Sequence, residues 1–197
     1  MKNHDGVGVK IHNMKTLYLA GGCFWCVEHD MRQAEGVQEV ISGYMGGTAE
    51  TANYEAVSSH ITNHREVVKV EYDETITSYR QLCQFFLDHI DPTDDGGQFG
   101  DRGGNYKTAI YYADENERII AEETLQELAD SGVYEAAIVV DILPSMEFYP
   151  AEEYHQQYSE KNPQHYQRYR IGSGREGFVQ KTCQIREQKT IQWKSSK

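Results

Sequence analysis

Apolar residues along the chain fall into short alternating runs and longer helical stripes. Thr16-Leu17-Tyr18-Leu19-Ala20 reads as a strand that stops at Gly21-Gly22, and helix formers fill Cys23 to Ala34 directly after it. Val37 to Tyr44 predicts a strand closed by Met45-Gly46-Gly47, whereas Tyr54 to Asn63 shows no period. Glu66 to Tyr72 ends in strict alternation and predicts a strand. Leu82, Phe85, Phe86 and Ile90 repeat at helical spacing across Tyr79 to Ile90. A Gly- and Asp-rich loop runs from Asp91 to Gly104. After it, Lys107 to Tyr112 predicts a strand and Glu115 to Ala129 an amphipathic helix stopped at Ser131-Gly132. Ile138 to Leu143 predicts a further strand, and Glu152 to Glu160 a short helix ended by Asn162-Pro163. Beyond Phe178 the chain turns polar and predicts a flexible or loosely packed tail.

Strands and helices alternate, but the strands are short and the loops between them long. That favours an α+β fold of two layers over a doubly wound parallel sheet. A chain of 197 residues with no internal repeat fits one domain, preceded by a polar leader over residues 1–15. The formal charge of −12 disfavours nucleic-acid binding, since the only dense basic run is Arg168-Tyr169-Arg170. No apolar run approaches the roughly 20 residues that span a bilayer, so no membrane association is expected. The leader lacks the apolar stretch of a secretory signal, which points to the cytoplasm, where thiols stay reduced. Four cysteines are too few for a disulfide scaffold and must be read singly.

The densest chemistry lies in Gly21-Gly22-Cys23-Phe24-Trp25-Cys26. The glycines let the backbone turn sharply out of a strand. A helix starting at Cys23 would aim its unpaired N–H groups at the sulfur and favour the reactive thiolate. Phe24 and Trp25 would wall that sulfur with aromatic surface suited to a small uncharged group such as a methyl. The blander reading is a core cysteine between two core aromatics. The Gly-Gly lead and the second thiol three residues on favour function instead. Zinc needs four ligands in paired spacings, and Cys83 and Cys183 form no second pair, so a metal-free protein is expected. The loop from Asp91 does not fit calcium, because Arg102 holds the twelfth position where an EF-hand needs Glu.

The Gly22-Cys23-Phe24-Trp25-Cys26 run resembles the active-site signature of the A-type peptide-methionine sulfoxide reductases. Gly43-Tyr44-Met45-Gly46-Gly47, Tyr54-Glu55-Ala56-Val57, His64-Arg65-Glu66-Val67-Val68 and Asp91-Pro92-Thr93 also fit that family. So do Gln98 with Asp101, Tyr106-Lys107-Thr108-Ala109-Ile110-Tyr111, the stretch Phe148 to Gln156, and Lys161-Asn162-Pro163. The similarity covers roughly Thr16 to Phe178, which the resemblance makes the catalytic domain, with residues 179–197 as a polar tail. It implies a ferredoxin-like mixed sheet with long loops and an extended C-terminal tail. It implies reduction of L-methionine (S)-sulfoxide, free or in oxidised proteins, by a monomer without a cofactor, with electrons from thioredoxin or another dithiol.

By the same resemblance Cys23 is the nucleophile, and Glu66 the acid that protonates the sulfoxide oxygen. Phe24 and Trp25 hold the substrate methyl, Tyr54 and Tyr106 hydrogen-bond the oxygen, and Asp101 helps place the substrate. The chemistry agrees. A sulfoxide sulfur is a poor electrophile until its oxygen is protonated, and a carboxylic acid kept neutral by apolar surroundings can supply the proton. Attack by Cys23 leaves a sulfenic acid, which a second thiol condenses to a disulfide.

Many family members carry Gly where this chain has Cys26, and Ser58 stands where some have cysteine. Their Gly-rich C-terminal cysteines are replaced here by Ile171-Gly172-Ser173-Gly174-Arg175 and a later Cys183. Cys26, one helical turn from Cys23, and Cys183, on the tail, are both candidates to resolve the sulfenic acid. Cys83 reads as core, and His155 as a hydrogen-bonded structural residue. Two rival readings are a general thioredoxin-like dithiol oxidoreductase on Cys23 and Cys26, which bulky Phe24-Trp25 would hinder, and a zinc or interaction module.

Overall fold

The computed structural model describes residues 13–195, with side chains through Arg186. Residues 1–12 of the expected leader lie outside that range, and Met14 and Lys15 already belong to the first strand. The strands are β1 (Met14–Ala20), β2 (Val37–Met45), β3 (Arg65–Asp73), β4 (Gly97–Gln98), β5 (Asp101–Arg102), β6 (Ala109–Tyr112), β7 (Asp141–Pro144) and β8 (Phe148–Pro150). The α-helices are α1 (Phe24–Met31), α2 (Tyr54–Ser58), α3 (Tyr79–Leu87), α4 (Glu115–Asp130), α5 (Tyr158–Lys161), α6 (Pro163–Gly172) and α7 (Arg175–Ser195).

Six strands form one mixed sheet in the order β7-β6-β1-β3-β2-β8, in which only the β6–β7 pairing is parallel. The order β6-β1-β3-β2, with α1 following β1 and α3 following β3, is the split β-α-β arrangement of a ferredoxin-like fold. Strand alternation divides the apolar residues between the faces. Leu17, Leu19, Val40, Tyr44, Val68, Val70 and Ile110 point to the main core, where they meet Phe24 and Val27 of α1 and Leu82 and Phe86 of α3. Ala20, Met45, Val67, Ala109 and Tyr111 form a smaller cluster of their own. Glu66 shares the parity of Val68, Val70 and Tyr72, so its carboxyl enters the main core at the strand's end.

Local signals set the boundaries. Ser78 and Asp114 cap α3 and α4 by accepting the N–H groups of Gln81 and Glu117. Glu117 also accepts the N–H of Ala113, the residue before the cap, at 2.7 Å, which ties the incoming chain to the first turn of α4. The strand expected from Ile138 starts only at Asp141, because the Val139 N–H is donated to the Pro92 carbonyl at 2.8 Å and not to the sheet. The helix expected over Glu152–Glu160 is broken at Gln157, whose φ of 53° is left-handed, into a 3-10 turn (Glu153–His155) and α5. Asn162-Pro163, expected as a stop, opens α6 with proline in its first turn, where no N–H is needed. The polar tail likewise forms a helix, α7. Among the described residues, no helix is long and apolar enough to cross a membrane.

Candidate active site

β1 delivers the chain to Gly21-Gly22, and close packing explains both glycines. A Cβ on Gly21 would come within 2.7 Å of the Phe86 ring. Gly22 has a φ of +81°, and a Cβ there would lie 2.5 Å from Cβ of Gln98. Gln98 is itself fixed by a two-way bond to the Asp91 backbone (2.9 and 2.7 Å), which seats the β4–β5 turn and its Asp101 on this corner. Gly22→Ala is therefore expected to destabilise the fold by more than about 1 kcal/mol in a thermal melt, from positive φ and overlap together. An unchanged melting temperature would show that the turn is not held against Gln98.

Cys23 is the N-cap of α1, and its carbonyl accepts the N–H groups of Cys26 (3.1 Å) and Val27 (3.3 Å). The next free donor of the helix, the Phe24 N–H, goes to Oε2 of Glu66 at 2.9 Å. The carboxyl of β3 thus meets the first turn of α1 immediately beside Cys23. Glu66 is only 3% exposed, and burial pushes its pKa up to about 8 although the Phe24 bond pulls the other way; Asp101 and Cys26 add to the rise. At neutral pH it is chiefly the neutral acid.

The thiols depart from the sequence expectation. Cys23 is 6% exposed, and burial pushes its thiol well above the usual range, followed by its hydrogen bond with Cys26 and the charges of Cys26 and Glu66. A helix N-terminus alone does not ionise it. Within the pair Cys26 is the more acidic, at about 7. Its hydrogen bond with Cys23 is the largest cause, and the guanidinium groups of Arg175 and Arg170 help against burial. Tyr169 hydrogen-bonds Cys23 and favours its ionised form.

Phe24 is buried against Tyr44 (ring centroids 5.7 Å apart) and His155 (5.0 Å). Trp25 stacks on Tyr158 at 3.8 Å and 7°, and its indole N–H donates to Nδ1 of His155 at 3.0 Å. Tyr54 packs on the same imidazole at 4.7 Å. Its helix α2 starts where Glu152 accepts the Tyr54 N–H at 2.8 Å while also accepting the Tyr44 hydroxyl at 3.0 Å. Burial raises the Tyr54 and Tyr106 phenols, and the further charges acting on both are Glu66, Asp101 and Cys23, so both stay neutral donors around one locus. Asp101 is raised by burial and accepts the Tyr169 hydroxyl.

The structure therefore gathers Cys23, Cys26, Phe24, Trp25, Tyr54, Glu66, Asp101 and Tyr106. It does not gather Cys183, which is exposed on α7, eight residues and about 12 Å of helix beyond Arg175. Cys83 is buried in the core. His155, read from the sequence as a hydrogen-bonded structural residue, is buried between the aromatics and accepts the Trp25 indole N–H. The residue missed by sequence reasoning is Tyr169 on α6, and the spacing of Tyr166, Tyr169 and Arg170 after Asn162-Pro163 was its available signal. Among the described residues no group of three His, Cys, Asp or Glu side chains is placed to hold a metal ion.

A family model described as peptide methionine sulfoxide reductase matches residues 15–187. The peptide methionine sulfoxide reductase MsrA of Bacillus licheniformis is 49% identical over 162 residues, covering 82% of this chain and 90% of that protein. The crystal structure of Mxr1 from Saccharomyces cerevisiae in reduced form superposes with a TM-score of 0.72 at 30% identity, covering 77% of this chain and 87% of that one. The same yeast protein in complex with Trx2 shares the fold at a TM-score of 0.53 and 22% identity, over 77% of this chain and 91% of that one.

Proposed function

Because the chain belongs to the peptide methionine sulfoxide reductase family, we propose that Cys23 takes the oxygen of L-methionine (S)-sulfoxide, free or in oxidised proteins, while Glu66 supplies the proton that makes the sulfur attackable. The observation that carries this reading is the buried Glu66 carboxyl bonded to the Phe24 N–H, next to the Cys23 sulfur. The sulfoxide methyl rests against Phe24 and Trp25, and its oxygen lies among Glu66, Tyr54 and Tyr106, with Asp101 shaping the mouth. The Glu66 proton goes to the oxygen, the Cys23 sulfur bonds to the substrate sulfur, and the proton released by Cys23 returns to Glu66. The hydroxyl ends on Cys23 as sulfenic acid and methionine leaves, so one thiol and one sulfoxide become one sulfenic acid and one thioether.

Cys26 is the resolving thiol in this reading and Cys183 is not. Cys26 lies one turn away, is already hydrogen-bonded to Cys23 and is the more acidic sulfur. Condensation gives a Cys23–Cys26 disulfide and water, and a thioredoxin reopens it, in keeping with the yeast relative's complex with Trx2. Electrons come from thiols alone, and we assign the enzyme to the reducing cytoplasm as a monomer. Reaction with excess sulfoxide and no reductant, followed by peptide mapping, is expected to find Cys23 joined to Cys26. Cys26→Ser is expected to form about one methionine per enzyme and then stall with thioredoxin, while Cys183→Ser turns over normally. A disulfide to Cys183 would reverse the assignment.

A further inference from the structure

The mechanism above leaves one buried carboxyl of α1 without a role. Glu28 is 1% exposed, and both of its oxygens accept the backbone N–H of Gln157, at 2.8 and 3.0 Å. Gln157 has a φ of 53°, a left-handed backbone that a residue with a side chain keeps only where its surroundings hold it. That turn separates the two residues that grip Trp25. On one side His155 accepts the indole N–H at 3.0 Å, and on the other Tyr158 stacks on the ring face at 3.8 Å. Trp25 and Glu28 are three residues apart on α1, so one face of the helix presents both the gripped ring and the carboxyl that fastens the gripping turn. Towards the end of the helix, His29 meets Ser159 at 3.1 Å and Arg32 pairs with Glu160 at 2.9 Å, so α5 beyond the turn has anchors of its own. Among the described residues, Glu28 alone takes the N–H of the turn itself.

We infer that Glu28 is a positioning residue for the substrate methyl: by holding the left-handed turn at Gln157 it keeps His155 and Tyr158 against Trp25, and so fixes the aromatic wall that the methyl meets. The inference rests on the reading of Trp25 as part of the methyl pocket. A ring held at its N–H and across its face cannot move aside for a larger group. A pocket walled in this way separates a methyl from an ethyl by the one extra methylene. Without Glu28 the Gln157 N–H is left unpaired in a buried place, and the turn shifts to find water or another acceptor. His155 and Tyr158 shift with it, and the ring gains room to tilt. Burial pushes Glu28 up to about 7 against the pull of the Gln157 N–H, and both the acid and the carboxylate keep a lone pair for that donor. The hold therefore needs an acceptor at this place and not a charge.

The test is the ratio of kcat/KM for methionine sulfoxide to that for ethionine sulfoxide, measured with dithiothreitol as reductant. A smaller folded fraction lowers both values alike, so a loss of stability alone leaves the ratio where it was. Glu28→Ala is expected to lower the ratio about fivefold, and Glu28→Gln, which keeps an oxygen for the Gln157 N–H, to retain most of it. The ring reports the same event. In a Trp193→Phe background Trp25 is the remaining tryptophan, and its emission should move to longer wavelength in Glu28→Ala and stay in place in Glu28→Gln. An unchanged ratio in Glu28→Ala, or a Glu28→Gln variant that loses as much, would overturn the inference. If Glu28→Ala does not fold, Glu28→Asp, whose carboxyl is one methylene further from the turn, decides it by the same ratio. Trp25→Ala separates this inference from its premise. If Trp25→Ala lowers the ratio and Glu28→Ala does not, the positioning role alone falls. A ratio that Trp25→Ala leaves unchanged would instead remove the assignment of Trp25 to the methyl pocket.

Discussion

Cys23→Ser is expected to abolish sulfoxide reduction, with single-turnover methionine formation falling by on the order of 10⁴-fold or more. A serine hydroxyl is a far weaker nucleophile than a thiol. Taking the oxygen would also require it to form an O–O bond in place of the S–O bond of a sulfenic acid. The fold should survive, because serine is among the best residues at a helix N-cap, the position Cys23 occupies. No other thiol can substitute: Cys26 is fully buried a turn deeper, Cys83 lies in the core, and Cys183 is out on α7. Measurable turnover in this variant would remove Cys23 from the nucleophile's role.

Glu66→Gln is expected to slow methionine formation by about 10²–10⁴-fold while leaving sulfoxide binding largely intact. The amide oxygen can still accept the Phe24 N–H, so the shape of the first turn is kept while the acidic proton is lost. The pH profile carries the sign. The carboxyl loses its proton as pH rises through about 8, so the single-turnover rate of the unmodified enzyme falls above that point. Glu66→Gln lacks that falling limb. Stability follows the same group. Its folded pKa is raised, so the folded state holds the proton more tightly than the unfolded chain between 4.5 and about 8. Stability conferred by that proton is complete below the lower value and is lost as pH rises across the window, and the variant lacks this slope. An unchanged rate would pass the protonating role to Tyr54 or Tyr106.

The heart of the site was readable because it follows local rules. Glu66 faces inward by the alternation it shares with Val68, Val70 and Tyr72, and Cys23 caps a helix because two glycines clear the corner before it. The cover of the site was not. α6 packs through hydroxyl and guanidinium contacts, Tyr169 to Asp101 and Arg170 to Asp30, so it has no apolar stripe for a periodicity reading to find. The fully buried Arg175 looks like a surface residue in sequence, since its partners are backbone carbonyls in distant segments. The expected Cys23 thiolate was drawn from the helix terminus alone. Burial and the hydrogen bond with Cys26 outweigh that local field, and only the tertiary arrangement brings in the Arg175 and Arg170 charges that favour ionisation of Cys26.

The proton on Glu66 can be watched directly, by following its carboxyl carbon by NMR through a pH titration of the reduced, substrate-free enzyme. A midpoint near 8 is the result expected of an acid sealed beside the nucleophile. A midpoint near 4.5, the ordinary value for a solvated glutamate, would leave the sulfoxide without its proton donor and contradict the account.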